Sequence, residues 1–373
     1  MVIKSALIVG GGIAGMSVAI MLRRLGVAVD LIDQDAQWKV AGAGITITGP
    51  TLRAFAALGI LDRLEPQSYM GDGIRVCSVD GVFLQELQTP MPVGSRVPGS
   101  GGIMRPVLHH VLSSEVLSGG VNVRLGVKVR SAVQTSEAVD VTFEDGSSGR
   151  YDIVIGADGL HSQIRQFILP HAPSPEYTGQ CVWRAVLPRP QEIQKRHYFL
   201  GGPVKVGLNP VSEAEMYLFL LERRAVRQWM TDDRAHVELA ELLRPYGGVL
   251  KEVRTTLGPQ SRIVFRPLEA FFLPDPWYVG RVILIGDAAH PTTPQLASGA
   301  GMAIEDALVL AQELDRSNAV DAAFAAFMKR RYARCRLVVE NSLEIGRREQ
   351  RGEPVDSQTQ LVQESLRALA EPY

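Results

Sequence analysis

The chain contains few cysteines and almost no net charge. Of its 373 residues three are cysteines, Cys77, Cys181 and Cys335, an odd number at wide separations. This set excludes a disulfide framework and a zinc knuckle, so we predict no metal site. The formal net charge of −1 gives no electrostatic basis for binding nucleic acid or an anionic membrane.

The sequence also lacks a long low-complexity stretch and a convincing targeting segment. Residues 6–22 are apolar enough to imitate a signal peptide, but Lys4 is the only lysine or arginine before them and the glycines within them are spaced for a turn. We therefore interpret this region as a first βα unit and predict a cytoplasmic protein.

A glycine-rich turn follows the first apolar run. Residues 3–9 are typical of a buried parallel strand, and the sequence Gly10-Gly11-Gly12-Ile13-Ala14-Gly15 comes directly after them. Gly10 permits a tight turn, Gly12 lets backbone approach a pyrophosphate, and Gly15 lets the next helix pack closely. A second apolar run ends in Asp33, about twenty residues beyond the glycines, where a carboxylate accepts hydrogen bonds from a ribose. The pattern predicts a dinucleotide site.

In two further motifs an acidic residue follows a buried strand. In the first, residues 153–165, Asp158 precedes Ser162 and Arg165 at the start of a helix; its simplest role is to cap that helix. In the second, residues 282–311, Gly286 and Asp287 follow a buried strand. Gly299 and Gly301 then open a helix whose N-terminal dipole favours negative charge. Both motifs predict side chains at the carboxyl edge of one sheet, where ligands of such folds bind.

The composition and the predicted secondary structure of the chain change twice along the sequence. Residues 90–102, with three prolines and four glycines, predict a loop or a crossing between domains. A helix is predicted over residues 105–118, and residues 121–143 suggest a small antiparallel set of strands. After Pro170, short strands separated by glycine and proline predict a second sheet with one helix around residues 237–243. At residue 282 the sequence again has the apolar pattern of a buried parallel strand.

With these motifs in this order, the chain resembles the FAD-dependent aromatic hydroxylases, single-component flavoprotein monooxygenases that include para-hydroxybenzoate, salicylate and hydroxynicotinate hydroxylases. The resemblance implies an α/β fold: a three-layer, Rossmann-like FAD-binding domain with an inserted sheet-rich substrate domain and C-terminal helices. We expect the FAD-binding domain at 1–70, 99–178 and 276–335, the substrate-binding sheet domain at 71–98 and 179–275, and a helical segment at 336–373. For the C-terminal helices, packing on the protein's own nucleotide domain or a dimer contact remain open, so monomer and homodimer are both compatible.

The resemblance also assigns residues to FAD. It implies that Asp287 contacts the ribityl chain, that Arg105 contacts FAD unless it is a helix-surface arginine, and that the segment 41–45 runs along the flavin, which places Thr46 near the ring. The predicted cofactor-binding residues are Gly10, Gly12, Ile13, Ala14, Gly15, Asp33, Gly44, Ile45, Arg105, Asp158, Arg165, Gly286, Asp287, Pro294, Gly299, Ala300, Gly301 and Met302.

Two departures from the family pattern concern this site. Asp33-Gln34 stands where many relatives have Glu-Arg, which keeps the ribose acceptor and loses a cation near the adenosine. Ala297-Ser298-Gly299 stands where Gly-Gln-Gly is common, so the packing around the flavin differs in detail.

The chemistry implied by the resemblance uses bound FAD, NAD(P)H as a transient co-substrate, and O2. In the family, reduced flavin captures oxygen as a C4a-hydroperoxide whose distal oxygen attacks an electron-rich ring. The predicted catalytic residues are Pro294, whose loop lines the oxygen-activation site in the family, Thr46, and His290, which is alternatively a structural residue near FAD. The expected partner is a small aromatic or heteroaromatic substrate.

Five residues are predicted to line the substrate pocket. Trp183 and Arg184 could floor it or anchor an anionic substrate, or they could belong to an amphipathic strand pair with the arginine tied to a local carboxylate. His197, Tyr217 and Gln295 are further candidates. Two other functions remain open at this point: a related flavoprotein oxidoreductase that inserts no oxygen, and an FAD-holding protein without turnover.

Overall fold

The structure, a computed structural model, describes residues 2–40 and 42–373. In chain order its strands are β1 Ser5–Val9, β2 Ala28–Asp33, β3 Gly44–Thr48, β4 Tyr69–Gly71, β5 Ile74–Ser78, β6 Phe83–Leu87, β7 Ser100–Met104, β8 Asn122–Leu125, β9 Val129–Gln134, β10 Val139–Phe143, β11 Ser148–Tyr151, β12 Ile153–Gly156, β13 Glu176–Pro188, β14 Arg196–Leu200, β15 Lys205–Pro210, β16 Glu215–Arg223, β17 Arg262–Ala270, β18 Tyr278–Val279 and β19 Val282–Leu284. The helices are α1 Ile13–Arg24, α2 Gly49–Leu58, α3 Leu61–Leu64, α4 Arg105–Ser118, α5 Gln163–Ile168, α6 Asp232–Leu242, α7 Gly248–Thr256, α8 Gly299–Arg316, α9 Val320–Arg351 and α10 Val355–Ala370.

The central sheet has the strand order β18-β19-β12-β1-β2-β8. Strands β19, β12, β1, β2 and β8 are parallel, and β18 is antiparallel at one edge. Because these strands are parallel, the carboxyl ends of β1, β12 and β19 meet at one edge of the sheet. The three predicted motifs therefore lie side by side, and the predicted Rossmann-like α/β fold with C-terminal helices is confirmed.

A seven-stranded sheet forms the second part of the molecule. Its order is β17-β13-β16-β15-β14-β5-β6, and all neighbours are antiparallel except β14 and β5. One face of this sheet packs with α6 and α7 around a separate hydrophobic core that contains Trp183, Leu218 and Leu220. The sheet draws its strands from residues 74–87 and 176–270, which agrees with an inserted sheet domain; the domain boundaries stay a prediction.

Three local expectations were wrong. Asn122–Leu125 is the outer strand of the parallel sheet rather than part of an antiparallel set; only β9, β10 and β11 form that set. Residues 100–102 lie in a stretch expected to be a loop, but Ser100–Met104 is the middle strand of a small sheet, β3-β7-β4. Its glycines allow close approach: a Cβ on Gly101 would lie 2.7 Å from the carbonyl oxygen of Tyr69 in β4, and one on Gly102 would lie 2.1 Å from that of Pro210 in β15. The insertion carries a second helix, Gly248–Thr256.

The C-terminal helices pack on the rest of the chain. Helix α9 ends at Gly352, whose φ of 68° allows the left-handed C-cap. Arg53 and Arg334 donate hydrogen bonds to the carbonyl groups of Leu369 and Ala370 at the end of α10. Within the described ranges no helix combines the length and the apolar character needed to cross a bilayer.

Candidate active site

The turn between β1 and α1 has the geometry expected from its glycines. Gly10 has a φ of 107°, and a Cβ on Gly15 would lie 1.9 Å from the Gly10 carbonyl oxygen, so the helix can approach the strand only because both residues are glycine. A Cβ on Gly12 would meet no atom within 4 Å and would project into a cavity. The Asp33 carboxylate accepts a hydrogen bond of 2.7 Å from the amide of Gly11, which brings the end of β2 to the same turn.

A cavity of about 440 Å³ lies between the central sheet and the seven-stranded sheet. Many predicted site residues line it: Gly12, Ile13, Ala14, Ile45, Thr46, Arg105, Arg184, Tyr217, Asp287, Pro294, Gln295, Gly299 and Ala300. The cavity therefore joins the predicted cofactor residues to the predicted substrate sheet. Ala41, part of the segment expected along the flavin, lies outside the described residues.

Several other predicted cofactor residues do not line the cavity. Gly10, Gly15, Gly44, Asp33, Gly286, Gly301 and Met302 are near the cavity-lining residues in sequence but are not part of the wall of this cavity. Gly44 and Gly301 are places of close packing, because a Cβ there would lie 2.3 Å from the Tyr217 ring and from Thr51 Oγ1, respectively.

The side chains of Asp158 and Arg165 form hydrogen bonds with backbone groups of the protein. The Asp158 carboxylate accepts a hydrogen bond of 2.5 Å from Ser162 Oγ and bonds of 2.7 and 3.0 Å from the amides of Gln163 and Ile164. This is the helix-capping role, and it uses both carboxylate oxygens. Arg165 donates to the carbonyl group of Ala288 at 2.8 Å. The second motif thereby holds the third motif in place.

Asp287 reaches the cavity from the turn after β19. Gly286 has a φ of 59° and its amide donates to Asp306 Oδ2 at 2.9 Å, which fixes this turn on helix α8. The Asp287 side chain is accessible through the cavity, although it lies deep in the protein. Burial raises its pKa, and the charges of His290 and Arg105 oppose that effect. Asp287 can thus present hydrogen-bond acceptors to a polyol or ribityl chain.

His290 does not face the cavity, contrary to its predicted catalytic position. It is buried, and its Nε2 lies 2.6 Å from Asp306 Oδ2. Burial lowers the pKa of His290, but the neighbouring Cys335 and Asp306 raise it more, and the net pKa lies well above its ordinary value. The structural role, the alternative named from the sequence, is the one that the geometry supports.

Asp306 belongs to a buried ion cluster. Arg331, fully buried, donates to Asp306 Oδ1 at 2.8 Å and to Glu305 Oε2 at 2.7 Å. Glu305 also receives two hydrogen bonds from Arg334. The ligand-type atoms of His290, Asp306 and Cys335 lie within 4.8 Å of one another, and the Arg331 guanidinium already supplies the positive charge beside them. The cluster anchors the turn that carries Asp287 to helices α8 and α9.

A short polar network faces the cavity at the predicted flavin end. Thr46 Oγ1 lies 2.5 Å from the hydroxyl group of Tyr217, and Asn209 Nδ2 donates to the same Thr46 oxygen at 2.9 Å. All three side chains are buried. With Asn209 donating to it, the Thr46 hydroxyl group can donate to Tyr217, which leaves the phenol hydrogen of Tyr217 for a group in the cavity.

The seven-stranded sheet places only alternate residues in the cavity. Val182 and Arg184 of β13 line it, whereas Trp183 points to the opposite face, packs on Phe265 with ring centroids 4.6 Å apart, and donates to Glu222 at 2.8 Å. His197 also points away and its Nδ1 lies 2.8 Å from the carbonyl oxygen of Lys195. The prediction that Trp183 and His197 belong to the pocket was therefore wrong, because neighbouring residues of a strand face opposite sides.

The sequence interpretation missed most of the positive charge in the cavity. Besides Arg105 and Arg184, the wall contains Arg196, Lys205 and Arg266. Strand alternation was a usable signal: with Arg184 assigned to the cavity, its neighbours in the sheet on the same face follow. His109, from helix α4, also lines the cavity; burial lowers its pKa, and its ring meets Trp38 edge to face.

The chemistry of these groups fits FAD. The amides at the start of α1 favour a pyrophosphate, Gly12 leaves room for its approach, Asp33 and Asp287 supply acceptors for sugar hydroxyl groups, and helix α8 begins at the cavity with Gly299. The roles of individual residues toward FAD stay predictions.

Comparison with known proteins identifies the family of this chain. A protein-family model described as an FAD binding domain matches residues 4–342. The chain is 32% identical to the putative FAD-dependent monooxygenase YetM of Bacillus subtilis over 99% of this chain and 100% of that protein. It is 31% identical to an FAD-dependent urate hydroxylase of Klebsiella oxytoca, over 82% and 80% of the two chains. Among solved structures, Klebsiella pneumoniae HpxO complexed with FAD and uric acid superposes with a TM-score of 0.85 at 23% identity, covering 98% of this chain and 96% of that one, and shows the same fold. The chain belongs to the FAD-dependent aromatic hydroxylases and is a flavoprotein monooxygenase of that type.

Proposed function

We propose that this monooxygenase hydroxylates a small heteroaromatic substrate that carries a negative charge, with NAD(P)H as the electron donor. The overall reaction inserts one atom of O2 into a ring C–H bond and releases the other as water, while NAD(P)H gives up a hydride, one proton is taken up, and NAD(P)+ is formed. Bound FAD supplies the means of accepting the hydride and activating O2. The C4a-hydroperoxide route stays a prediction from the resemblance.

The observation that carries the proposal is the unbalanced positive charge in the cavity. Among the described residues, no carboxylate lies within 4.0 Å of the side-chain nitrogens of Arg184, Arg196 or Arg266. Arg105 also has no such partner, but it is assigned to FAD and its charge acts on Asp287 in the same wall. Lys205 is the cavity cation with an acidic partner, Glu349. An anionic ligand would supply the missing countercharge.

Arg184 is the best-placed anchor. It lies on β13 near Tyr217, and no hydrogen bond or ion pair within the described ranges uses its guanidinium group. Burial lowers the pKa of Arg184, the Tyr217 hydroxyl group opposes this and the charge of Arg105 adds to it. A buried guanidinium without a partner in the protein can bind a carboxylate or an ionised ring oxygen through two hydrogen bonds.

The remaining residues of the chain orient the ring and handle protons. Tyr217 can donate its phenol hydrogen to a substrate oxygen, with Thr46 and Asn209 fixing the position of its oxygen. Phe219 and Leu221, on the same strand face, supply apolar surface that excludes water. The urate hydroxylases among the relatives act on a small acidic heterocycle, which is consistent with this substrate class.

The test is turnover with labelled oxygen. Urate, nicotinate and hydroxybenzoates are supplied with 18O2 and either NADH or NADPH, and the product is analysed by mass spectrometry; each acid is compared with its neutral amide where one exists. We expect one labelled atom in the product and activity with the acids only. Turnover without label would support a flavoprotein oxidoreductase that inserts no oxygen, and equal activity with the amides would refute the anionic substrate.

Arg184→Met provides the residue-level test. Losing a charge-assisted hydrogen bond costs about 1.5–3 kcal/mol, so KM for the acid should rise about 10- to 100-fold. The matched control is Arg262→Met, an exposed arginine that pairs with Glu215 at the end of the same sheet. An unchanged KM in Arg184→Met would remove Arg184 from the substrate site.

A further inference from the structure

The loop that carries Pro294 separates two cavities. Thr292, Thr293, Pro294 and Gln295 face the main cavity. Thr293 also lines a second, polar cavity of about 200 Å³, which lies against β13 and helix α9. There is therefore free volume on both sides of the loop.

The same loop contains stored strain and unsatisfied polar atoms. Ala297 has a φ of 50°, in the left-handed region that disfavours residues with a Cβ. The amide of Ala297 donates to the carbonyl group of Pro294 at 3.0 Å, which holds this turn. Within the described structure, Thr293 Oγ1 and Gln295 Oε1 are buried without a hydrogen-bond partner. A loop of this kind keeps its conformation only where neighbouring groups fix it.

Glu349 of helix α9 contacts this loop. Its Oε2 accepts hydrogen bonds from Gln295 Nε2 at 3.3 Å and from Gln180 Nε2 at 3.1 Å. Gln180 in turn accepts from Gln295 Nε2 at 3.0 Å. The helix comes this close because residue 346 is glycine: a Cβ there would lie 2.7 Å from Gln180 Oε1. One carboxylate thus joins α9, β13 and the loop.

The second oxygen of the same carboxylate binds a cavity cation. Glu349 Oε1 accepts from Lys205 Nζ at 2.7 Å, and the Glu349 side chain is 9% exposed. Burial lowers the pKa of Lys205, but the charge of Glu349 raises it more. Since Lys205 lines the main cavity, an anion there competes with Glu349 for the ammonium group.

We infer that Glu349 is a positioning residue that couples negative charge in the substrate cavity to the conformation of the Pro294 loop. Without an anion, Lys205 neutralises Glu349 and orients its other oxygen toward Gln295, so the loop is held. When an anion draws Lys205 toward the cavity, Glu349 loses this orientation and the loop is released toward the second cavity. The role of the anion rests on the proposed function, whereas the contact between Glu349 and the loop does not.

Amide hydrogen exchange of the FAD-loaded protein tests the coupling without turnover. Glu349→Gln keeps the side-chain shape but removes the ion pair with Lys205, and Glu349→Asp shortens the reach. In both variants we expect exchange in peptides covering residues 291–298 to be about 10- to 100-fold faster, as for the loss of one charge-assisted contact, with exchange in β1 unchanged. Gly346→Ala should produce the same local effect without altering any charge.

The control is Glu340→Gln, an exposed acid of the same helix that pairs with Arg336 at the surface, and it should leave the loop at the wild-type rate. Adding benzoate to the wild type should accelerate exchange in the loop, the neutral isostere benzamide should not, and Glu349→Gln should not respond to either compound. Wild-type exchange in Glu349→Gln would overturn the positioning role. Equal or absent effects of benzoate and benzamide would overturn the link to charge, whatever substrate the enzyme proves to hydroxylate.

Discussion

Replacing Arg331 by methionine tests whether the buried ion cluster holds the cofactor turn. The side chain is fully buried and donates to Asp306 and Glu305 at 2.8 and 2.7 Å. Removing one partner from a buried ion pair costs about 3–5 kcal/mol, because the remaining charge is left uncompensated. Here Glu305 keeps Arg334 and Asp306 keeps His290, so we expect a value near the lower limit, about 3 kcal/mol.

Thermal unfolding measures this loss. An unfolding entropy of about 2 cal/mol/K per residue converts 3 kcal/mol into a decrease of about 4 °C in Tm for a chain of this length. Arg336→Met, on the same helix, is the control: its guanidinium pairs with Glu340 at the surface, both more than half exposed, and its loss should change stability by less than about 1 kcal/mol. If both variants unfold at the wild-type temperature, the cluster does not contribute to stability as argued.

Three further predictions concern the cofactor residues and the buried ion cluster behind them. Asp287→Ala should lose FAD affinity, measured by flavin fluorescence, and full flavin occupancy would count against its assignment to the ribityl chain. Gly12→Ala should leave the Tm of the apoprotein unchanged but weaken FAD binding, whereas Gly15→Ala, whose Cβ meets a carbonyl oxygen at 1.9 Å, should lower the Tm itself. His290 has a raised pKa in the folded state, so its stabilising contribution is complete below its unfolded pKa of about 6.5 and is lost as pH rises through the folded value. The free energy of unfolding should therefore decline with pH above about 6.5 in the wild type, and His290→Gln should abolish that part of the slope.

The nucleotide-binding part could be predicted because its determinants are local. The turn at Gly10, the helix at Ile13 and the acidic end of β2 at Asp33 are all encoded within one βα unit, and the structure has them where the sequence places them. Helix α4 begins at Arg105 and ends at Ser118, as predicted. Such elements depend on short-range sterics and capping more than on distant contacts.

The substrate side could be predicted only in part, because it depends on which face of each strand meets the rest of the molecule. Placing Trp183 and Arg184 together in the pocket conflicts with the two-residue period of a strand, and the structure resolves the conflict in favour of Arg184. The strand at Ser100–Met104 could not be foreseen, since its glycines pack against Tyr69 of β4 and Pro210 of β15, both distant in the sequence. Glu349 was missed for a similar reason: its partners lie in three other segments.

The two faces of the seven-stranded sheet have different roles: one lines the cavity and the other packs in the hydrophobic core. Arg184, Tyr217 and Phe219 meet the cavity, while Trp183 and Leu218 are fixed in the core on the other side. On the proposed function, substrate range should change through mutations at every second position of β13 and β16 without repacking the interior. A combinatorial library restricted to these positions should retain folded protein in most members, and it is the economical way to redirect this enzyme to new rings.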